Sequence, residues 1–313
     1  MKKLTRRNFV HTAALLAAAI SCSPGKEKPA AAPRDKGVSS LEDMPLGIII
    51  AIKDPDKDMS RVRDLGFSTC QLEVSDYSVK TAQEVRTALD KYEIKPTCLI
   101  VSGPGEYKWD FYQGPLTIGL VPREQRAERV ARLKEGIDFC KAAGIMSVLS
   151  HFGFIPENPN DVLYGEFIST MKEQVAGYAA ELGIEILFET GQETPVTLLR
   201  AIEDIGTGNL GINYDTANLI LYGKANPLDG LDVVGKYVKS LHAKDGFYPT
   251  NPRKLGHEVP IGQGKVDFPK IIRRLKEMNF KGHITIEREI SGPQQVEDIL
   301  QSKKYLEELI KTV

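Results

Sequence analysis

Six residues that can carry charge or bind a metal stand directly after short apolar runs: Glu73, His151, Glu189, Asp215, His242 and Glu287. The last four close "IEILFE" (Ile184–Glu189), "LGINYD" (Leu210–Asp215), "YVKSLH" (Tyr237–His242) and "HITIE" (His283–Glu287). One acid in such a place is ordinarily a helix cap or a solvated loop residue. Four of them ending successive late strands point to one shared site, unless a slip of register turns one or two toward covering helices. Three carboxylates and an imidazole make an oxygen-rich donor set. It suits Mn2+ first, and also Mg2+, Co2+ or Zn2+, rather than a thiolate-selected metal. Three negative charges brought that close repel strongly unless a cation lies between them, so electrostatics also call for a divalent ion.

The elements that position these residues recur with a regular beat. Strands are predicted over Leu46–Ile52, Phe67–Glu73, Lys95–Val101, Ile145–His151, Ile184–Glu189, Leu210–Asp215, Tyr237–His242 and His283–Glu287. Between and after them, helical spacing covers Asp58–Gly66, Thr81–Tyr92, Arg123–Ala143, Glu166–Leu182, Pro195–Ile205, Leu228–Gly235, Phe268–Met278 and Gln294–Ile310. Eight strand–helix units with nearly continuous apolar strands imply a parallel sheet covered on both faces. The length after residue 43 fits an α/β fold of one domain, a (β/α)8 TIM barrel of about 250 residues. A doubly wound open sheet is the alternative, but no Gly-rich dinucleotide or phosphate turn follows an early strand. In a barrel, catalytic residues come from the C-terminal strand ends, where these six stand.

Five stretches in order carry a resemblance: "LFETGQET", "GINYDTANL", "SLHAKD", "IGQGKVDF" and "ITIERE". They resemble the signatures of the xylose-isomerase-like barrel family, which includes sugar isomerases and epimerases and the endonuclease IV repair enzymes (AP endonuclease family 2). The resemblance covers Leu46–Val313. It implies that Glu189, Asp215, His242 and Glu287 hold a divalent metal, and that Glu189 and Glu287 exchange a sugar proton from opposite faces. Family members often carry a His three residues after the Asp; here Asn218 stands there. The repair nucleases use that His and others for extra metals, and a chain with 5 histidines supplies such a site poorly.

An ion chelating a hydroxy-ketone acidifies the neighbouring C–H, and a carboxylate at its edge can take that proton to leave a metal-bound enediolate. The reading is therefore a divalent-metal-dependent sugar isomerase or epimerase. The same first step serves a lyase that expels the aglycone of a 3-keto-glycoside. The same ligands also serve a hydrolase with a metal-activated water, or a barrel that only binds sugar.

Around this core stand supporting residues. Lys244, two past His242, either stabilises a developing oxyanion or is a surface lysine, while Asp245 at its offset fixes the following loop. His151 is a substrate contact or a satisfied core histidine. Glu193 contacts sugar hydroxyls or caps the next helix. Asn218 is counted with the substrate contacts, as are His257 and Glu258 in the long, lid-like loop Gly246–Lys265. Trp109, Phe111 and Tyr112 stack on a sugar ring or cover the barrel rim. "GQG" (Gly262–Gly264) either binds phosphate or is a turn before a helix capped by Asp267. Glu73 ranks below these, and His283 opens its strand at the far end as a structural residue.

Composition narrows the partners. The chain has 313 residues, a net charge of −1 and 1 tryptophan, which gives no basis for nucleic-acid binding; the expected partner is a small sugar or glycoside. Cys70, Cys98 and Cys140 lack CxxC spacing and read as buried small hydrophobes. Lys2, Lys3, Arg6 and Arg7 precede an apolar run, Ala13–Ile20, that is too short to span a bilayer. "TRRNF" (Thr5–Phe9) resembles a twin-arginine export signal, and "AISC" (Ala19–Cys22) a lipoprotein box with Cys22 lipidated; an ordinary cleaved signal is the alternative. The expected organisation is an export signal (1–22), a flexible tether (23–43) and the barrel (44–313). The protein is expected in the periplasm, touching membrane only through a lipid anchor. Sugar phosphates are cytosolic, so an exported enzyme meets free sugars or glycosides.

Overall fold

A computed structural model describes residues 43–313; the predicted export signal with Cys22, and the tether up to residue 42, lie outside the described residues. Eight apolar segments become parallel strands: β1 (Leu46–Ala51), β2 (Thr69–Glu73), β3 (Lys95–Ile100), β4 (Ser147–Ser150), β5 (Glu185–Glu189), β6 (Leu210–Asp215), β7 (Val238–Ala243) and β10 (His283–Ile286). Between the last two, β8 (Asp245–Phe247) and β9 (His257–Val259) form a separate antiparallel ribbon. The eight pair in sequence order and β10 returns to β1, which closes the barrel and leaves none of its eight strands as an edge.

The helices are α1 (Pro55–Asp64), α2 (Val79–Tyr92), α3 (Gly114–Thr117), α4 (Arg126–Ala143), α5 (Val162–Thr170), α6 (Gly177–Leu182), α7 (Pro195–Ile205), α8 (Asn218–Leu221), α9 (Pro227–Val234), α10 (Phe268–Glu277) and α11 (Pro293–Thr312). Their starts are written in the chain. The side chains of Asp54, Ser78, Thr194 and Asp267 accept the N–H three residues on, and Pro55, Pro195, Pro227 and Pro293 open their helices. Gly144, Gly183 and Gly206 end α4, α6 and α7 in the left-handed conformation.

Two expectations change. The single helix expected from Glu166 starts at Val162, where Asp161 caps it, and passes through a π-helical turn, Met171–Ala176, between α5 and α6. The loop expected over Gly246–Lys265 carries the β8–β9 ribbon. Asp245 is the cause. It is buried, its Oδ1 accepts from Gly246 N (2.8 Å) and Val266 N (3.0 Å), and its Oδ2 accepts from Gly262 N (3.0 Å) and Gly264 N (2.9 Å). A side chain on Gly264 would run into that carboxylate. The glycine N–H groups that could have cradled a phosphate are thus spent on Asp245, and "GQG" is a turn. Asp245→Ala strands these donors and is expected to cost about 3 kcal/mol, read as a lower urea midpoint, with Asp245→Asn in between.

Register sets what faces the barrel axis. In a strand, residues i and i−2 face the same side. Gln71, Leu187, Asn213, Ser240 and Thr285 therefore lie beneath Glu73, Glu189, Asp215, His242 and Glu287. Glu189 pairs level with Asn213, and Asp215 with His242, which in turn pairs with Thr285.

Candidate metal centre

Glu189, Asp215 and His242, on β5, β6 and β7, and Glu287, one residue past β10, turn into the mouth of the barrel. One ligand atom from each lies within 4.8 Å of the others. His242 Nδ1 stands 2.8 Å from Glu189 Oε1, 3.0 Å from Glu287 Oε2 and 3.8 Å from Asp215 Oδ2. Yet His242 Nδ1, Asp215 Oδ2 and Glu287 Oε2 are buried and close no hydrogen bond. Buried polar atoms normally find a partner, so atoms this near that do not bond one another are aimed at a common point. Three carboxylate oxygens and an imidazole nitrogen around that point fit a hard or borderline divalent cation.

The layer beneath fixes the imidazole. A carboxylate only accepts, so Asn213 presents its Nδ2 to Glu189 Oε2 at 2.8 Å. That leaves Asn213 Oδ1 as acceptor for Ser240 Oγ and for Gln71 Nε2, the latter at 3.3 Å. Gln71 Oε1 then faces His242 Nε2 at 2.7 Å and must accept. His242 thereby carries its proton on Nε2 and offers the Nδ1 lone pair to the centre.

Electrostatics divide the acids. Burial pushes the Asp215 carboxyl up to about 8. Glu287 is held well below the usual range, because Lys244 and His242 outweigh the burial that would raise it. Burial lowers the His242 imidazole, but Glu189 and Glu287 more than reverse this and hold it well above the ordinary value. A proton on Nδ1 would therefore have to leave before a cation could bind there. Lys244 is not on the surface: its side chain is 0% exposed. Its Nζ donates to Glu289 Oε1 at 2.6 Å and Asn218 Oδ1 at 3.2 Å, and lies 3.4 Å from Glu287 Oε2 and 3.8 Å from Asp215 Oδ2.

The remaining predicted residues fall in different places. Asn218 is buried, and its backbone N–H donates to Asp215 Oδ1 at 2.7 Å, so it steadies Asp215 and Lys244 together. His151 stands at the end of β4 with Nδ1 3.4 Å from Gln192 Oε1 and its ring centre 4.9 Å from that of Trp109 in an edge-to-face arrangement. Glu258 accepts from Glu289 N and pairs with Arg288 at 3.1 Å, tying the ribbon to the segment after β10. His257 is exposed and stacks on Phe247 with ring centres 5.1 Å apart. Glu73 faces a cavity of about 480 Å³ that also borders Glu287. His283 begins β10 at the opposite end, and Cys70, Cys98 and Cys140 are buried free thiols. Gln71, Asn213 and Glu289 were not anticipated. Their signal was present: polar residues two positions before a strand-end acid, Glu73 or Asp215, and an acid two after Glu287.

Glu193 is 3% exposed, and burial pushes its carboxyl up to about 8. An acid raised on folding stabilises fully below its unfolded pKa and loses that contribution as pH climbs to the folded value, here from about 4.5 to about 8. Glu193→Gln, neutral throughout, is therefore expected to melt progressively higher relative to wild type as pH rises through that window. Thermal melts of both proteins across that window, in which every other titrating group is common to the two, check this.

With this geometry in hand, comparisons with known proteins are informative. Residues 59–309 match the sequence profile described as the xylose isomerase-like TIM barrel. The crystal structure of a xylose isomerase domain protein from Planctomyces limnophilus superposes with a TM-score of 0.81 at 35% identity, covering 86% of this chain and 98% of that one. A D-tagatose 3-epimerase-like protein superposes with a TM-score of 0.66 at 21% identity, over 86% and 97%. An uncharacterized protein of Methanocaldococcus jannaschii is 29% identical over 178 residues, which span 53% of this chain and 57% of that relative, little more than half its length.

Proposed function

The chain belongs to the xylose isomerase-like TIM barrel family, and from that premise we propose that it is a divalent-metal-dependent sugar isomerase or epimerase. The observation that carries this reading is the placement of two carboxylates about one centre. Glu189 and Glu287 approach from the two flanks of the Asp215–His242 pair, each with an oxygen within 3.0 Å of His242 Nδ1.

Glu189, Asp215, His242 and Glu287 would hold the ion, which when bound supplies Lewis-acid polarisation of a sugar carbonyl. The protein's own groups do the rest. Glu287, kept ionised by Lys244 and His242, takes the proton from the carbon next to the carbonyl. Glu189, protonated at that stage, delivers a different proton from the other flank to give inversion at the same carbon, or Glu287 hands its own proton to the neighbouring carbon. The two carboxyls then re-equilibrate their protons with solvent. Lys244, anchored by Glu289 and Asn218, presents an N–H to the oxygen on which negative charge develops. The names of the two solved neighbours support carbohydrate chemistry. The basic start and "TRRNF" support an exported, periplasmic enzyme, and the occupied glycine turn at Gly262–Gly264 supports an unphosphorylated substrate.

The test is incubation of the Mn2+-loaded protein with ketoses and 3-keto-glycosides in D2O, followed by mass spectrometry. Uptake of one deuterium next to the carbonyl, with conversion to an isomer or epimer, is expected. Loss of an aglycone with deuterium uptake would instead show a lyase. Turnover without any exchange would show a hydrolase and sink the proposal.

A further inference from the structure

Beside the metal centre, on the β4–β5–β6 side of the mouth, two buried donors have nothing to bind. Gln192 is 1% and Tyr222 5% exposed, and neither Gln192 Nε2 nor Tyr222 Oη closes a hydrogen bond. The Tyr222 ring packs edge-on against Phe154 and Phe111, its centre 5.7 and 6.4 Å from theirs, in the loops that follow His151 and Trp109. His151 continues this wall through Gln192 Oε1, and Trp109 stands over His151. Leaving a buried donor unmade costs the full desolvation of that group, so two together mark a place meant to be filled.

The filler must be polar and uncharged. Lys244 is already paired with Glu289 at 2.6 Å and Lys224 with Glu157 at 3.7 Å, which favours a neutral group over a phosphate. Trp109 is 48% exposed, yet it is not on a loose loop. Buried Arg129 donates to Gly119 O at 2.7 Å and Pro104 O at 3.2 Å, and its guanidinium lies 4.5 Å over the Tyr107 ring. Tyr107 in turn packs 5.8 Å from Trp109. The indole is thus a braced, partly open apolar face beside unpaired donors, a combination that suits the C–H face and hydroxyls of a sugar ring.

We infer that Gln192, Tyr222, His151 and Trp109 form a subsite for a second, neutral glycosyl unit, so that the substrate is an unphosphorylated glycoside or disaccharide rather than a free monosaccharide. This deepens the sugar isomerase or epimerase reading and rests on it for the identity of the ring at the metal. The chain's 1 tryptophan is Trp109, so its fluorescence reports this surface alone. The full chain with Mg2+ is titrated with glucose, glucose 6-phosphate, cellobiose and trehalose. At least one disaccharide is expected to shift the emission and bind about tenfold tighter than glucose, with glucose 6-phosphate no tighter than glucose. Tyr222→Phe, which keeps the ring packed on Phe154 and Phe111, and Gln192→Leu should each weaken the disaccharide about fivefold and leave glucose unchanged.

Equal binding of disaccharides and glucose, tighter binding of the phosphate, or full disaccharide affinity in Tyr222→Phe would overturn the subsite. If deuterium exchange occurs on monosaccharide ketoses while the disaccharide preference is absent, the subsite falls alone. If disaccharides bind as expected and no keto-sugar exchanges, the catalytic reading falls and the subsite stands.

Discussion

Glu287→Gln is expected to lower deuterium uptake from D2O by about 10^3-fold at saturating metal, in a protein that still melts cooperatively. The magnitude is that of a positioned general base, about 10^2–10^4 in rate. Glutamine keeps the size of the side chain and one oxygen, so it can still approach the centre, but it cannot take up a proton. Two effects must be separated, because Glu287 is also a predicted ligand and the counter-charge to Lys244 at 3.4 Å. Asp215→Asn separates them. Asp215 takes no proton in the proposed reaction, and its Oδ1 contact to Asn218 N survives in asparagine. Its variant should therefore bind metal weakly and regain most of its exchange rate as metal is raised. Glu287→Gln should regain binding with added metal and still fail to exchange. Wild-type exchange in Glu287→Gln would remove Glu287 from the chemistry and leave it a ligand only.

Much of this site was legible because two periodicities coincide. The strand–helix beat placed Glu189, Asp215 and His242 at C-terminal strand ends without any contact information, and closure of the barrel then brings those ends to one mouth. Lys244 was ambiguous for a specific reason: alternation tells which face a side chain leaves from, but not whether a neighbour such as Glu289, 45 residues further on, draws it inward. The Asp245 clamp on residues 262–266 was only half visible. An acid after a strand suggests a loop anchor, but which N–H groups it gathers depends on how the β8–β9 ribbon folds back. Arg129 was wholly hidden. Its partners are carbonyl oxygens and a ring, which leave no charge pattern in the chain.

Gln71 shows the same limit most clearly, because it lies 171 residues from His242 and touches no metal in the proposed reading. Gln71→Leu is expected to weaken Mn2+ binding about 10–100-fold, the usual cost of removing the partner that orients a histidine ligand. Leucine fills the buried volume but accepts no hydrogen bond, so His242 Nε2 loses its acceptor and the proton is free to move to Nδ1, where the lone pair is needed. It also removes one donor from Asn213 Oδ1, while Ser240 Oγ continues to serve that oxygen and Asn213 keeps its hold on Glu189. The loss should therefore fall on the imidazole rather than on the carboxylates. Gln71→Glu is the contrasting variant: its carboxylate still accepts from Nε2–H but no longer donates to Asn213 Oδ1, so metal affinity should fall less than in Gln71→Leu. Calorimetric titration with Mn2+ gives the affinities. Ring 15N shifts of His242 in the Zn2+-loaded protein give the tautomer directly, with Nε2 protonated in wild type and Gln71→Glu. Undiminished affinity and an unchanged Nε2–H signature in Gln71→Leu would mean that the carboxylates alone orient the ring, and that the hydrogen-bonded layer beneath the mouth is only packing.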